Sequence, residues 1–236
     1  MAEAKYKRVL LKLSGEALAA GSDGILNFDF IAEISEVLKK CLSEGVQIGI
    51  IVGAGNIWRG RQGGKMDRVR ADSMGMLATV INSLALQDTF IQNGLDAMVM
   101  TSVNMNTFAE PYTARGAVEA LKSGKIVIFG GGLGSPYFST DTAAVLRAAE
   151  IEADAVLMAK NIDGIYSADP HRDPSAVKYD EITYKDILKD ELKALDLTAT
   201  TFCMENDIKA YAFELKDPMN IYRVIKGEKI GTEIHK

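Results

Sequence analysis

Arg8-Val9-Leu10-Leu11-Lys12-Leu13-Ser14-Gly15 decides the fold, because it is an apolar run of strand length that ends in a serine and a glycine. Such a run, without polar alternation, reads as a strand buried on both faces, the kind found in parallel sheets. Asn27 to Glu44 follows as a helix, with Ile31, Ile34, Val37, Leu38 and Leu42 on one face and Gly45 ending it. Val46 to Val52 is a second apolar strand that runs into Gly53-Ala54-Gly55. Beyond it Met74, Leu77, Ile81, Leu84 and Ala85 keep helical spacing, and Asn93-Gly94 closes that element. Ala97 to Met100 reads as a third strand, Ala114 to Lys122 as a helix, and Ile126 to Phe129 as a fourth strand entering Gly130-Gly131-Gly132. Thr140 caps a helix that runs to about Ile151, and Ala155 to Ala159 is the fifth strand.

Asp163-Gly164 is a turn signal that opens a short hairpin near Ile165-Tyr166, and Pro170 and Pro174 mark the loop beyond. A short helix from Thr183, another near Leu197 to Glu205, a strand around Ala210 to Phe213, a helix from Pro218 and a final edge strand complete the chain. Strands alternating with helices predict an α/β three-layer αβα sandwich with a mostly parallel central sheet, since each crossover helix must lie on a sheet face. No repeat or linker divides residues 1–236, so one domain is expected.

Composition narrows the function. With 47% hydrophobic and 25% charged residues the chain has ordinary globular character. A formal charge of -5 offers no basic field for a polyanion, so no nucleic acid partner is expected. Lys12 and Glu16 interrupt the first apolar run, which is therefore a strand and not a signal peptide. No stretch reaches the roughly 18 uninterrupted apolar residues of a membrane span, and no membrane role is expected. Cys41 and Cys203 lack metal-ligand spacing and fit a reducing, cytoplasmic compartment. The two histidines, His171 and His235, are far apart, which disfavours serine–histidine hydrolases and histidine-rich metal enzymes.

In a parallel sheet every strand-to-helix loop emerges at one edge, so the loops after strands one, two, four and five should ring one crevice. These are the glycine-bearing loops, and backbone N–H groups beside a helix start suit phosphate. Neither G-x-x-x-x-G-K-[ST] nor a proper G-x-G-x-x-G is present, so another phosphate-binding design is required. Lys12, an ammonium within a buried strand, either answers an anion or snorkels from an edge. Arg59 either forks onto phosphate oxygens or is a solvated loop arginine. Asp72 and Asp141 near helix starts, and Asp163 and Asp169 in turns, each have a capping or turn explanation beside a ligand one. Trp58 and Tyr166 either stack on a base or pack, and Met74 and Met76 read as packing residues.

Five segments carry a resemblance: Leu11 to Leu18 (LKLSGEAL), Gly55 to Gly60 (GNIWRG), Asp72 to Thr79 (DSMGMLAT), Gly134 to Asp141 (GSPYFSTD) and Asp163 to Pro170 (DGIYSADP). Their order and wording resemble the amino acid kinase superfamily, and within it the bacterial UMP kinase family. The resemblance implies the carbamate kinase-like fold and phosphoryl transfer from ATP to UMP with Mg2+ accompanying ATP. It implies that Lys12, Leu13, Ser14, Gly15, Gly55 and Arg59 face the ATP phosphates and that Asn161, Tyr166 and Asp169 hold the adenosine part. It places UMP on Ala54, Asp72, Leu133, Gly134, Ser135, Pro136, Tyr137, Phe138, Ser139 and Thr140, with Asp72 accepting from ribose hydroxyls. Asp141 and Asp196 enter as helpers of Lys12 or of the metal, no dedicated protein metal site being expected. It further implies a homohexamer, GTP activation through Ala20, Gly21, Ser22, Asp23, Gly24 and Ile25, and UTP inhibition.

The chain departs from that family at two acceptor positions, Ala54 where glycine is usual and Leu133 where threonine is usual. Related chemistries remain open: a superfamily member acting on carbamate or an amino acid carboxylate, a nucleotide or oxyanion storage protein, and a dinucleotide oxidoreductase.

Overall fold

The computed structural model describes residues 4–59, 64–170 and 172–236; Gly60 of the second segment and His171 lie outside the described residues. In chain order the first elements are β1 (Arg8–Leu13), α1 (Gly15–Ala19), α2 (Phe28–Ser43), β2 (Gln47–Val52), α3 (Arg68–Gln92) and β3 (Ala97–Thr101). Next come β4 (Glu110–Pro111), α4 (Ala114–Lys122), β5 (Ile126–Gly130), α5 (Thr140–Glu150), β6 (Ala155–Lys160) and β7 (Ile165–Tyr166). The chain continues through β8 (Lys178–Tyr179), β9 (Glu181–Thr183), α6 (Tyr184–Lys189), α7 (Leu197–Asn206), β10 (Ala210–Glu214), α8 (Met219–Ile225) and β11 (Thr232–His235).

The main sheet has nine strands in the order β4-β3-β5-β2-β1-β6-β10-β11-β9. From β3 to β10 every neighbour is parallel, with Leu11 opposite Ile50 on one side and Leu157 on the other. Side chains alternate between two cores, as the two-residue period of a strand demands. Val9, Leu11 and Leu13 of β1 join Ile48, Ile50 and Leu157 beneath α1, α2, α3 and α8. Leu10 joins Ile51, Val127, Val156 and Met158 beneath α4, α5, α6 and α7. The architecture is the expected three-layer sandwich, and Lys12 and Lys160 both fall on the α5 face because they continue the Leu10 and Val156–Met158 rows.

Four expectations are corrected. Thr140 is the first residue of α5, and the cap is Ser139, whose hydroxyl accepts the N–H groups of Asp141 and Thr142. The tail strand β11 is internal, antiparallel to β10 and parallel to β9, which takes the edge. Ile165-Tyr166 does pair antiparallel, but with β8 beyond the proline loop, so Asp163-Gly164 precedes the pairing and is not its turn. The largest difference is in α3. Met74 is 38%, Leu77 50% and Ile81 49% exposed, while the inner face uses Ala71, Ala78, Ser83, Leu86 and Phe90. Small residues let that face lie close on β2, β3 and β5, leaving the bulkier stripe outside. α3 is long and apolar enough to cross a membrane by length and composition, yet its inner face is part of the core.

Candidate active site

The loops after β5, β2, β1 and β6 emerge side by side at one sheet edge. The two central ones nearly touch. A Cβ at Gly15 would lie 2.5 Å from Gly53 O and 2.5 Å from Asn56 Oδ1, so only glycine allows this approach. The buried Asn82 of α3 fastens the β2 loop, donating to Gly53 O at 2.8 Å and exchanging amide hydrogen bonds with Asn56 at 2.8 and 3.0 Å. Arg59 is exposed and pairs with Glu16 of α1 across the same rim. Ser14 caps α1 by backbone position without a side-chain cap bond.

Beneath these loops Lys12 Nζ lies 2.7 Å from Asp141 Oδ1. The α5 N-terminus brings Asp141 there. Burial alone would push the Asp141 carboxyl up, but the charge and contact of Lys12, with help from Lys160, hold it below the usual aspartate value. For Lys160 burial dominates and lowers its pKa, against the raising effect of Asp141, and Lys12 adds to the lowering. Lys160 also donates to Ala194 O. Asp196 caps α7 through Ala199 N at 2.8 Å and accepts from Ser139 and Thr142 of α5, so it anchors the segment that carries Asp141. Both thiols are buried in the core, which pushes Cys41 up to about 12 and Cys203 up to about 11 and leaves them poor nucleophiles.

On one side of this centre opens a cavity of about 370 Å³ lined by Glu16, Ala54, Gly55, Trp58, Arg59, Arg68, Asp72, Leu133, Ser135 and Tyr137 to Thr140. Asp72 does not cap α3; Asp67 does, through Arg70 N at 3.2 Å. Asp72 instead accepts from Arg68 Nε at 2.8 Å and from Tyr137 N at 2.8 Å, drawing the glycine loop toward α3. Tyr137 holds a left-handed φ of 73°, an uncommon conformation for a side chain of its size. Ala54 is not among the residues with positive φ, so its methyl imposes no backbone strain. Leu133 packs against the α5-side core while also lining this cavity. Met76 lines this cavity, and Trp58 fixes its indole by donating to Ala71 O at 2.8 Å.

On the other side a cavity of about 540 Å³ is lined by Lys160, Ile162, Gly164 to Pro170 and Asp190 to Lys193. Tyr166 and Asp169 are on its wall. The Asp163 carboxylate accepts from Tyr166 OH at 2.8 Å and from Lys178 at 3.0 Å, pinning β7 to β8. Asn161 is separated from them: it lines a neighbouring cavity of about 490 Å³ with Ala17, Ala20, Gly21, Phe30 and Lys216. Residues 20–25 form an exposed turn, held by Asn27 Nδ2 on Ala20 O at 2.8 Å and Asn56 Nδ2 on Ile25 O at 2.6 Å.

The structure thus brings Lys12, Asp141 and Asp196 together beneath the abutting Gly15 and Gly55 loops, and it puts Ala54, Arg59, Asp72, Leu133, Ser135 and Tyr137 to Thr140 on one cavity, without Gly134 and Pro136. Sequence reasoning gave Lys160 no role, although it opens the crevice loop after the fifth strand, and missed Arg68 and Asn82 as parts of the site. The period-two continuation of β6 was the signal that could have found Lys160; Asn82 carried none, since a helical amide reads as surface until its neighbours are known.

A fold of this kind, with glycine loops converging on a buried lysine–aspartate pair, defines a class of phosphoryl-transfer protein, and the chain belongs to the amino acid kinase family, whose family model matches residues 7–213. Among solved structures it is similar to the UMP kinase from Bacillus anthracis, at 38% identity over 98% of this chain and 96% of that one, with a TM-score of 0.94. It is also similar to the UMP kinase from Ureaplasma parvum, at 34% identity over the full length of both chains and a TM-score of 0.93. The uridylate kinase from Archaeoglobus fulgidus matches at 27% identity over 96% of this chain and 99% of that one, with a TM-score of 0.73.

Proposed function

We propose that the chain, acting as a single domain, is a nucleoside monophosphate kinase that transfers the γ-phosphoryl group of ATP to UMP, giving UDP and ADP in pyrimidine nucleotide biosynthesis. The observation that carries this reading is the pair of cavities flanking one cationic centre: Lys160 lines one, and Thr140 beside Asp141 lines the other. ATP lies with its base against Tyr166 and Asp169 and its phosphates over Ser14, Gly15 and Gly55. UMP occupies the Asp72 cavity.

A nucleoside monophosphate, with a second pKa of about 6, needs no general base to become a nucleophile near neutral pH. Catalysis is then alignment of two anions and neutralisation of the transferring group. Lys12, Lys160 and Arg59 supply positive charge, and the β1 and β2 loops supply N–H donors. Asp141 aims Lys12, and Asp196 keeps Asp141 in place through α5. Among the described residues no three His, Cys, Asp or Glu side chains cluster as a metal cage. Mg2+ accompanying ATP would find in Asp141 a carboxylate at hand. When bound it screens phosphate charge.

The finer properties belong to the same proposal. The exposed Met74–Leu77–Ile81 stripe supports self-association, read here as a homohexamer. The 20–25 turn, tied to the β2 loop by Asn56, supports a GTP activating site there; UTP inhibition follows from the family resemblance, as does a cytoplasmic location. The deciding assay measures ADP release from Mg-ATP with UMP, CMP, AMP, carbamate and acetylglutamate in parallel. UMP should be preferred, and Lys12→Ala or Arg59→Ala should lower turnover by about 10² or more with the fold intact. Preference for another acceptor, or near-normal turnover in both variants, overturns the reading.

A further inference from the structure

Behind the glycine loop that walls the acceptor cavity lies a buried charged network that phosphoryl transfer itself does not use. Arg147, in the last turn of α5, is buried, and its guanidinium stacks 3.7 Å from the Tyr112 ring centre. It pairs with Glu150, which also accepts from Tyr112 OH at 2.6 Å. Its Nη2 donates to Ser102 Oγ at 3.0 Å, and Ser102 Oγ lies 2.7 Å from Gly132 O. A guanidinium only donates, so the serine hydroxyl hydrogen must point onward to the Gly132 carbonyl. Gly134, at φ +73°, rides directly on Ser102, where a Cβ would lie 3.0 Å from Ser102 O. From the opposite side Gly131 N donates to Thr79 Oγ1 at 2.9 Å. A cavity of about 420 Å³ on the Arg147 side shares Leu133, Ser135 and Phe138 with the acceptor cavity, so the loop is a thin partition between the two.

Buried ion pairs are often no more stabilising than apolar side chains of the same volume, so stability alone does not call for this one. We propose that Arg147 is a positioning residue for the acceptor: through Ser102 it sets where the Gly131–Ser135 partition stands, and hence how the acceptor, but not ATP, is seated. The inference rests on reading the Asp72 cavity as the acceptor site. It assigns Ser102 the role of relay.

The test compares Ser102→Ala, Arg147→Lys and Arg147→Met with the wild-type chain, measuring KM for the acceptor, KM for ATP, kcat and melting temperature. The acceptor is whichever of the five in the assay above the wild type phosphorylates. Ser102→Ala, which leaves the Arg147–Glu150 pair whole, should raise the acceptor KM about tenfold, the size of one lost charge-assisted hydrogen bond, with ATP KM unchanged. Arg147→Met should do at least as much, and Arg147→Lys, with charge but no fork, should fall between. The Ser102→Ala, Arg147→Met double variant should be no worse than Arg147→Met alone, as expected of one chain of contacts. Should Arg147→Met fail to fold, the other two variants decide. An unmoved acceptor KM in Ser102→Ala, or equal rises in both KM values, overturns the inference. Transfer to an acceptor other than UMP overturns the substrate assignment alone, and transfer to none overturns both.

Discussion

Lys12 and Lys160 stand two residues apart in register on neighbouring strands, since Lys12 is opposite Met158, and they share Asp141. Two cations with one carboxylate leave a positive surplus that a phosphate can answer. The price of that surplus falls on Lys160, whose lowered pKa makes its charge sensitive to alkaline pH. Below its folded pKa the ammonium is present and turnover should be full; as pH rises through that lowered value turnover should fall, earlier than an ordinary lysine would allow. Stability should move the opposite way. Between the lowered folded pKa and the ordinary one, the unfolded chain binds the extra proton, so unfolding free energy rises with pH across that window. Urea unfolding of wild type against Lys160→Met, repeated along a pH series, checks this: the wild type should gain on the variant as pH rises, and a constant difference contradicts it. Lys12 was legible in the sequence because an ammonium inside Val9-Leu10-Leu11-Lys12-Leu13 has few innocent explanations. Lys160 was not, because a lysine at a strand end before Asn161 looks like any surface residue.

At the scale of elements, the site depends on β1 and β2 delivering their loops into near contact, with α3 stapling one of them. Gly15→Ala places a methyl against Gly53 O and Asn56 Oδ1, neither of which can move without dislodging the loop. Overpacking of this kind costs about 1–3 kcal/mol, and the parted loops should weaken ATP binding. Asn82→Ala leaves Gly53 O and the Asn56 amide short of partners and should cost about 1–3 kcal/mol. Denaturant midpoints together with nucleotide titration would register both; full stability and ATP affinity in both variants would contradict the staple. The long strands and helices were legible because buried runs and helical spacing are strong local signals. β4, β8 and β9, of two or three residues each, were not, since pairing partners far along the chain define them. The Ser139 cap was misplaced by one residue because Ser and Thr cap alike.

For the molecule as a whole, α3 is apolar toward the sheet and apolar toward solvent, and periodicity alone cannot say which face meets its own core. The spacing of Met74, Leu77, Ile81, Leu84 and Ala85 marked a real stripe and gave no sign that it points away from the sheet. Exposed apolar stripes of this kind commonly meet another chain. Sedimentation of wild type against the Leu77→Glu, Ile81→Glu double variant should show an assembly reduced to smaller species. Both side chains are about half exposed, so the melting temperature of the separated chain should change little. A wild type that sediments as a single chain would remove the case for assembly.

The abutting Gly15 and Gly53 loops also bear on how such a protein can change its clientele. β1 and β2 are hydrogen-bonded neighbours, and strand spacing in any sheet is about 4.8 Å, so the gap between their tips is inherited from the backbone ladder. In the proposed reading the ladder therefore sets the width of the cradle offered to the donor's phosphates. On that reading Ala54 and Leu133 can drift at the acceptor rim, altering which molecule is welcomed, without widening that cradle.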